Sequence, residues 1–222
     1  MFKLATKSGF STVNSISDLI TVGSGKTVNI LGVKIINRSE TVAAKVLVGI
    51  WPQTSADLAT PSAPLVDDNT TPNDNGQQYY YRISALKTSR NGETNASAST
   101  SFLGNSVLSG SSYNKIDWTA VTGAYRYRVY KSTDNTNFYL LTETAAITYN
   151  DTGTAVDTTI EAPEYNTSGI DARIYPEYNS IPAGGIMIDD TKYLGFDDTK
   201  KISVVSEQQY VDILISYDEL SQ

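Results

Sequence analysis

Short runs in which apolar and polar residues alternate, separated by turn-forming residues, are the feature that most constrains this chain. A period of two places every second side chain on one face of an extended strand, whereas a helix needs a period near 3.6. No apolar stripe at helical spacing reaches three turns. The pattern therefore predicts an all-β fold of sandwiches or barrels, with strands at 26–37, 42–51, 79–86, 116–118, 125–131, 137–142, 147–149, 186–188, 201–205 and 210–217.

Two stretches rich in proline and turn residues, 52–78 and 161–180, divide the 222-residue chain. A chain of this length is long for one sandwich and sufficient for two. We therefore predict two β-sandwich domains, one discontinuous and the other inserted in it. The discontinuous base domain comprises 1–55 plus 169–222, and the inserted domain comprises 56–168. The insert has 12 acidic and 7 basic residues, against 12 and 10 in the flanks, which fits an exposed outer domain.

Cysteine and histidine are both absent from the sequence. Their absence excludes disulfides, the usual zinc, haem and iron–sulfur sites, and catalytic mechanisms of the Ser-His-Asp or Cys-His type. The net charge of −7 disfavours nucleic-acid binding, which needs a basic surface. Residues 125–131 alternate basic and aromatic types, but strand periodicity explains them without stacked bases. The period of two predicts Tyr125, Tyr127 and Val129 on the face toward the core. It predicts Arg126, Arg128 and Tyr130 on the other face.

Two short motifs imitate catalytic signatures. Residues 23–27 (Gly-Ser-Gly-Lys-Thr) resemble the end of a phosphate-binding loop, but the first glycine of that pattern is replaced by Ile20. A β-branched segment follows where a helix is needed, so a turn leading into a strand is expected. Residues 151–153 (Asp-Thr-Gly) match one aspartic-protease triplet, whose chemistry needs two carboxylates sharing a proton. A turn at the end of a strand explains the single triplet better.

Two acidic pairs, Asp189-Asp190 and Asp197-Asp198, repeat after eight residues, each followed by Thr-Lys. Their oxygens could hold Ca²⁺, although the glycine and terminal glutamate of a calcium loop are missing. A two-carboxylate glycosidase site lacks a predicted aromatic cleft. Solvated turn charges are the expected role, and calcium binding stays open. We predict no catalytic, cofactor-binding or metal-binding residue, so no cofactor is expected and the chain is expected not to be an enzyme.

The middle segment carries several motifs of one known family: Tyr-Tyr-Tyr-Arg-Ile-Ser-Ala at 79–85, Asn-Gly-Glu at 91–93, Trp-Thr-Ala-Val-Thr-Gly-Ala at 118–124, Tyr-Arg-Val-Tyr-Lys-Ser-Thr at 127–133, and Thr-Tyr-Asn-Asp-Thr-Gly at 148–153. On these residues it resembles fibronectin type III modules of phage and bacterial surface proteins. The Trp-containing strand normally precedes the tyrosine-rich one, and here the order is reversed. The resemblance implies a circularly permuted, Ig-like sandwich with its last hairpin moved to the front, in which Trp118 belongs to the core.

The flanks also carry motifs: Gly-Lys-Thr-Val at 25–28, Asn-Arg-Ser at 37–39, Ile-Pro-Ala-Gly-Gly at 181–185 and Val-Asp-Ile-Leu-Ile-Ser-Tyr at 211–217. Segments 21–51 and 181–219 together resemble the two parts of small β-sandwich proteins among phage virion components. The resemblance implies one sheet system built from both segments. It also implies a structural protein of a bacteriophage particle, with capsid decoration, a head or neck fibre and a tail accessory protein all open.

The expected function is therefore assembly by surface complementarity. The expected partners are other virion proteins and further copies in a homo-oligomer, with no nucleic acid and no membrane. The start of the chain lacks an apolar run of signal or membrane length, so synthesis in the host bacterial cytoplasm and localisation in the virion are expected. Attachment is expected through the terminal strand, which is apolar on both faces at Leu214 and its neighbours. The alternative is a carbohydrate- or receptor-binding module that recognises a host surface glycan through Tyr79 to Tyr81, Tyr139, Tyr175 and Tyr178.

Overall fold

The structure, a computed structural model, describes residues 2–10, 16–53, 57–68, 74–87, 92–169, 172–173, 180–190 and 193–221. These residues contain strands, turns and bends but no α-helix, so the all-β prediction is confirmed. Contacts between Cα atoms divide the chain into two compact units. The two-segment unit comprises Met1–Ser55 with Ile170–Gln222, and the inserted unit comprises Ala56–Gly169. That each unit is an independently folding domain stays a prediction.

Eighteen strands are found within the described ranges, and they are numbered in chain order. They are β1 (Phe2–Ser8), β2 (Ser17–Thr21), β3 (Lys26–Asn37), β4 (Ala44–Pro52), β5 (Leu65–Asp68), β6 (Gln77–Leu86), β7 (Thr100–Gly104), β8 (Asn114–Asp117), β9 (Arg126–Ser132), β10 (Tyr139–Thr144), β11 (Thr148–Asp151), β12 (Asp157–Glu161), β13 (Ala172–Arg173), β14 (Ser180–Ile181), β15 (Ile186–Asp189), β16 (Tyr193–Phe196), β17 (Lys200–Ser206) and β18 (Val211–Ser221).

The two-segment unit has two antiparallel sheets around one apolar core. The first sheet has the order β1-β18-β3-β15, with β16 also paired to β3, and the second has the order β13-β4-β17-β2, with β14 also paired to β4. Strands of the two chain segments pair directly, as in the registers Ile35 with Ile213 and Val48 with Val204. The predicted pairing of 21–51 with 181–219 is therefore confirmed.

A β-bulge in β3 changes which of its residues share a face. The register with β18 shifts between Ser216 and Tyr217, so that Gly32 and Ile30 are paired and Leu31 is the extra residue. An extra residue of this kind reverses the alternation on its two sides. Val33 and Ile35 are buried in the core as predicted, but Leu31 does not share their face, and that part of the expectation is wrong.

The inserted unit also has two antiparallel sheets. Its larger sheet has the order β12-β10-β9-β6-β7 and its smaller sheet the order β11-β8-β5. Side chains from both sheets form one core, including Tyr81 and Val129 of the larger sheet and Ile116 of the smaller. Trp118 follows β8 directly and is 6% exposed, so its predicted core position is confirmed.

Some expectations for the inserted unit are wrong, and one motif lies partly outside the described residues. The sequence pattern predicts no strand at 102–114, but the edge strand β7 extends to Gly104. The turn-rich stretch 161–180 also contains β13. Tyr127 and Val129 lie in the core as predicted, but Tyr125 is 52% exposed, and Tyr130, on the other face as predicted, is fully buried. Tyr125 precedes the strand, and the ring of Tyr130 is covered on the outer face. Of the Asn-Gly-Glu motif at 91–93, Asn91 lies outside the described ranges.

Candidate functional site

The outward side of the first sheet of the two-segment unit carries an unusual number of apolar side chains. Alternation along β1 directs Ala5 into the core and exposes its neighbours on the outer side. The same rule applies to β15, where Met187 packs on the core and its two neighbours face outward. We call the outward set the apolar face, and it consists of Phe2, Leu4, Ile36, Ile186, Ile188 and Leu214.

Four members of the apolar face are strongly exposed: Phe2 64%, Leu4 57%, Ile186 59% and Ile188 62%. They lie on the two edge strands, β1 and β15. Leu214 lies on β18 between them, with Thr6 and Lys34 as its cross-strand partners. The terminal strand is thus apolar on both sides, with Val211, Ile213 and Ile215 in the core and Leu214 on the outer side.

Polar groups next to the apolar face differ in how well they are satisfied. Asp212 accepts hydrogen bonds from Ser8 and from the backbone of Gly9, and it pairs with Arg38 at 2.8 Å. Lys34, beside Leu214, makes no ion pair within the described residues. Exposed apolar side chains on both edge strands of one sheet face, with Lys34 between them, are typical of a protein–protein contact, because an isolated monomer gains nothing by exposing them.

The segment that resembles a phosphate-binding loop, residues 23–27, is a turn that leads into β3. Residues 24–25 form the turn, Gly25 has a φ of +67°, and the strand begins at Lys26. The amide of Gly25 donates to a carboxylate oxygen of Asp198, and the ammonium of Lys26 donates to Ser221. No helix follows, so the amides needed to bind a phosphate are missing and the expected turn is confirmed.

The Asp-Thr-Gly motif has a role that the sequence did not indicate. Asp151 ends β11 and Gly153 follows with a φ of +90°, so the expected turn is present. The Asp151 side chain, however, is fully buried. It accepts a 2.7 Å hydrogen bond from the hydroxyl of Tyr81 and pairs at 2.7 Å with the ammonium of Lys131. These bonds make the carboxylate part of the core, where it holds the two sheets together.

The two acidic pairs lie at strand ends. Asp197 accepts hydrogen bonds from the backbone and the hydroxyl of Thr199, and these bonds lower the pKa of the carboxyl group. Asp198 accepts from Gly25, while Asp189 ends β15 and Asp190 is exposed after it. Among the described residues, no three acidic side chains are grouped so that they could hold a metal ion. Local hydrogen bonding accounts for the Asp197-Asp198 pair.

Two tyrosines of the predicted platform are buried in the core. Tyr79 and Tyr81 are 5% and 0% exposed because the alternation of β6 directs both rings into the core, so their part of the expectation is wrong. Tyr80 is half-buried on the opposite side. Tyr139 is half-buried beside a surface cavity, and Tyr175 and Tyr178 lie outside the described residues.

Comparison of the chain with protein-family models, with curated proteins and with solved structures found no match. Within the described ranges, no helix has the length and hydropathy that a membrane crossing requires. The residues themselves must therefore support any functional proposal.

Proposed function

We propose that the chain is a non-enzymatic structural protein of a bacteriophage particle, which it joins through protein–protein contacts of the two-segment unit. The observation that carries the proposal is the apolar face, with four large side chains more than half exposed around Leu214. Exposed apolar patches beyond a few hundred Å² mark interaction surfaces in soluble proteins. The resemblance of segments 21–51 and 181–219 to virion sandwich proteins supports the choice of particle.

The occupant we propose for the apolar face is a second copy of this chain. With strands about 4.8 Å apart and about 3.3 Å per residue, the sheet area that the apolar face spans, together with the polar residues between its members, is roughly 450 Å² in projection. Two such faces together bury on the order of 1,000 Å², which is close to the lower limit for a specific interface. The two-segment unit carries 12 acidic and 10 basic residues, so repulsion between two copies is weak.

Charge placement favours a symmetric pair. Gly32 lies two residues from Lys34 on the same side of β3, and a carboxylate oxygen of Asp190 lies 3.7 Å from where a Cβ on Gly32 would stand. A twofold axis in the plane between two facing sheets, perpendicular to the strands and midway between Gly32 and Lys34, places Lys34 of each copy over Asp190 of the other. Sheets that pack face to face lie about 10 Å apart, within reach of a lysine side chain.

Sedimentation velocity of the full chain tests the docking. We expect dimers or larger symmetric assemblies at micromolar concentration and monomers after Leu214→Lys, because the new charge would be buried at the centre of the contact. Val42→Lys is the matched control, since Val42 is 46% exposed elsewhere in the same unit. A wild-type chain that stays monomeric at 100 µM, or a Leu214→Lys chain that still assembles, would overturn the proposed occupant.

Mass spectrometry of purified phage particles tests the virion assignment. We expect many copies per particle, retention after deletion of 56–168, and loss after Leu214→Lys. Loss of the deletion variant would show that the inserted unit is the anchor. Absence of the full chain from the particles would overturn the assignment.

A further inference from the structure

The inserted unit has a surface cavity of about 320 Å³ beside the turn that joins β9 to β10. This volume is at the lower end of the range for small-molecule sites. One wall comes from that turn and the start of β10, and the other comes from the segment that follows β11. The residues that matter for its chemistry are Lys131, Thr133, Asn137, Tyr139, Thr154 and Val156.

Strand pairing and turn geometry fix the walls of this cavity. Tyr139 is the cross-strand partner of Lys131, so both side chains lie on the same side of the sheet. The turn is held by Asp134, whose carboxylate accepts hydrogen bonds from the backbone of Thr136 and from the backbone and side chain of Asn137. These bonds lower the pKa of Asp134 well below its ordinary value and use its oxygens locally.

Lys131, the cation among the described residues that line the cavity, is also neutralised within the protein. The ammonium of Lys131 pairs with buried Asp151 at 2.7 Å and lies 4.8 Å from the centre of the Tyr79 ring. Because the Asp151 carboxylate and the Tyr79 ring already interact with this ammonium, Lys131 adds little affinity for an anionic ligand. Asp134, also in the lining, keeps its negative charge, so the cavity does not favour an anionic ligand.

Three hydroxyl groups at the cavity have no partner in the described part of the chain. The side chains of Thr133, Tyr139 and Thr154 make no hydrogen bond there, although each can both donate and accept. Tyr139 also supplies an aromatic ring, and Val156 supplies an apolar surface. Hydroxyl groups beside an aromatic ring match a sugar, which has hydroxyls around its edge and C–H groups on its face.

The geometry points to a binding site for one neutral pyranose unit, such as the end of a glycan chain. Tyr139 would contact the apolar face of the sugar ring, and Thr133 and Thr154 would bond its hydroxyls. The inference is independent of the proposed docking of the two-segment unit. A particle protein with this site would carry a glycan-binding function on its inserted unit.

Saturation-transfer NMR of the full chain with methyl glycosides of glucose, galactose, mannose and N-acetylglucosamine tests the site. We expect at least one to bind with a Kd of roughly 1–10 mM, the range for a small ligand in a half-open site. Tyr139→Ala should weaken binding at least tenfold and Thr154→Val a few fold. Tyr125→Ala is the matched control, because Tyr125 is 52% exposed in the same unit away from the cavity.

Val156→Arg provides a second test. It should block glycoside binding, because the arginine side chain fills the cavity while Tyr139 stays in place. Thermal unfolding of each variant shows whether the inserted unit is intact. No binding by any of the four glycosides, or equal loss with Tyr125→Ala, would overturn the inference. Tighter binding of methyl glucuronide than of methyl glucoside would also overturn it, because the site would then select charge.

Discussion

The hydroxyl of Tyr81 donates a 2.7 Å hydrogen bond to the carboxylate of Asp151, and both side chains are fully buried. Tyr81 lies on the larger sheet of the inserted unit and Asp151 on the smaller one, so the bond crosses the sandwich. Lys131 pairs with the same carboxylate, and Asn114 donates to the Tyr81 hydroxyl at 2.9 Å. This buried polar cluster favours one alignment of the two sheets, because the bonds of Tyr81, Asp151 and Lys131 form only when the two sheets are in register.

We expect Asp151→Ala to lower the free energy of unfolding by about 3–5 kcal/mol, the usual cost of leaving a buried charge without its partner. The change removes the acceptor of both Tyr81 and Lys131. Urea denaturation monitored by circular dichroism measures the loss. The double variant Asp151→Ala/Lys131→Met should lose less than the two single variants added together, and strictly additive losses would contradict the coupling.

We expect the inserted unit to lose stability above about pH 10. Burial, together with the nearby carboxylate of Asp151, raises the pKa of Tyr81 far above its ordinary value of 10.0, and burial beside Glu93 does the same for Tyr130. The unfolded chain releases these protons near pH 10, whereas the folded chain keeps them. The stabilisation is therefore complete below pH 10 and decreases as the pH rises further, by about 1.4 kcal/mol per pH unit for each group.

Unfolding free energies at pH 8.5, 10.5 and 11.5 measure this slope. Tyr81→Phe is less stable at neutral pH, but its unfolding free energy should decrease less steeply with pH. The difference is the contribution of one proton, about 1.4 kcal/mol per pH unit, because phenylalanine does not titrate. An equal slope in the wild type and in Tyr81→Phe would mean that Tyr81 ionises as easily in the folded chain as in the unfolded one.

We expect Trp118→Ala to destabilise the inserted unit by about 3–5 kcal/mol, as is usual for a buried large aromatic residue. The indole packs edge-on against Tyr127 with ring centres 5.6 Å apart. Trp51, 3% exposed, lies in the other unit, so Trp51→Phe leaves Trp118 as the single indole. Native emission at the wavelength of a hydrated indole would show that Trp118 is not in the core. Val107→Ala, at a 74% exposed site, is the control and should cost under about 0.5 kcal/mol.

The strands that the sequence predicted are those rich in β-branched apolar residues that alternate over part of their length, such as β3, β4 and β18. The missed strands β1, β7 and β12 have polar residues or expose their apolar ones, as with Leu4, so no buried stripe indicates them. Their conformation depends on pairing with a neighbour distant in sequence. The same limit applies to β9, where Tyr130 is buried because Glu93 and Arg128 cover the outer face.

The two proposed surfaces differ in how far the sequence predicts them. Leu214 was identified because a strand that is apolar on both faces needs cover on both sides. Lys34 and Asp190 could not be placed near each other without the register of β3 and the position of Gly32. The cavity at Tyr139 also depends on the segment after β11, whose position relative to β10 no local pattern indicates.

We expect a fragment of residues 56–168 to fold alone with a cooperative thermal transition, because its core contains side chains from both of its sheets. Its two ends are bonded to each other. The amide of Leu58 donates to the hydroxyl of Ser168 at 2.7 Å, and the side chain of Asn166 donates to the carbonyl of Leu58 at 2.8 Å. Differential scanning calorimetry measures the transition. A fragment of residues 62–160 lacks these bonds and should melt at a lower temperature, whereas a featureless trace for 56–168 would contradict independent folding.

The bonds between Leu58 and the segment Asn166 to Ser168 also determine how the chain responds to tension. If the two-segment unit is anchored and the chain is pulled, force enters and leaves the inserted unit at two adjacent points. The tension then acts on these few hydrogen bonds and does not cross the sheets. A single-molecule stretching experiment would show a small early extension as they break, followed by unfolding of the sandwich at higher force. Until that first event, the load passes the inserted unit without shearing its core.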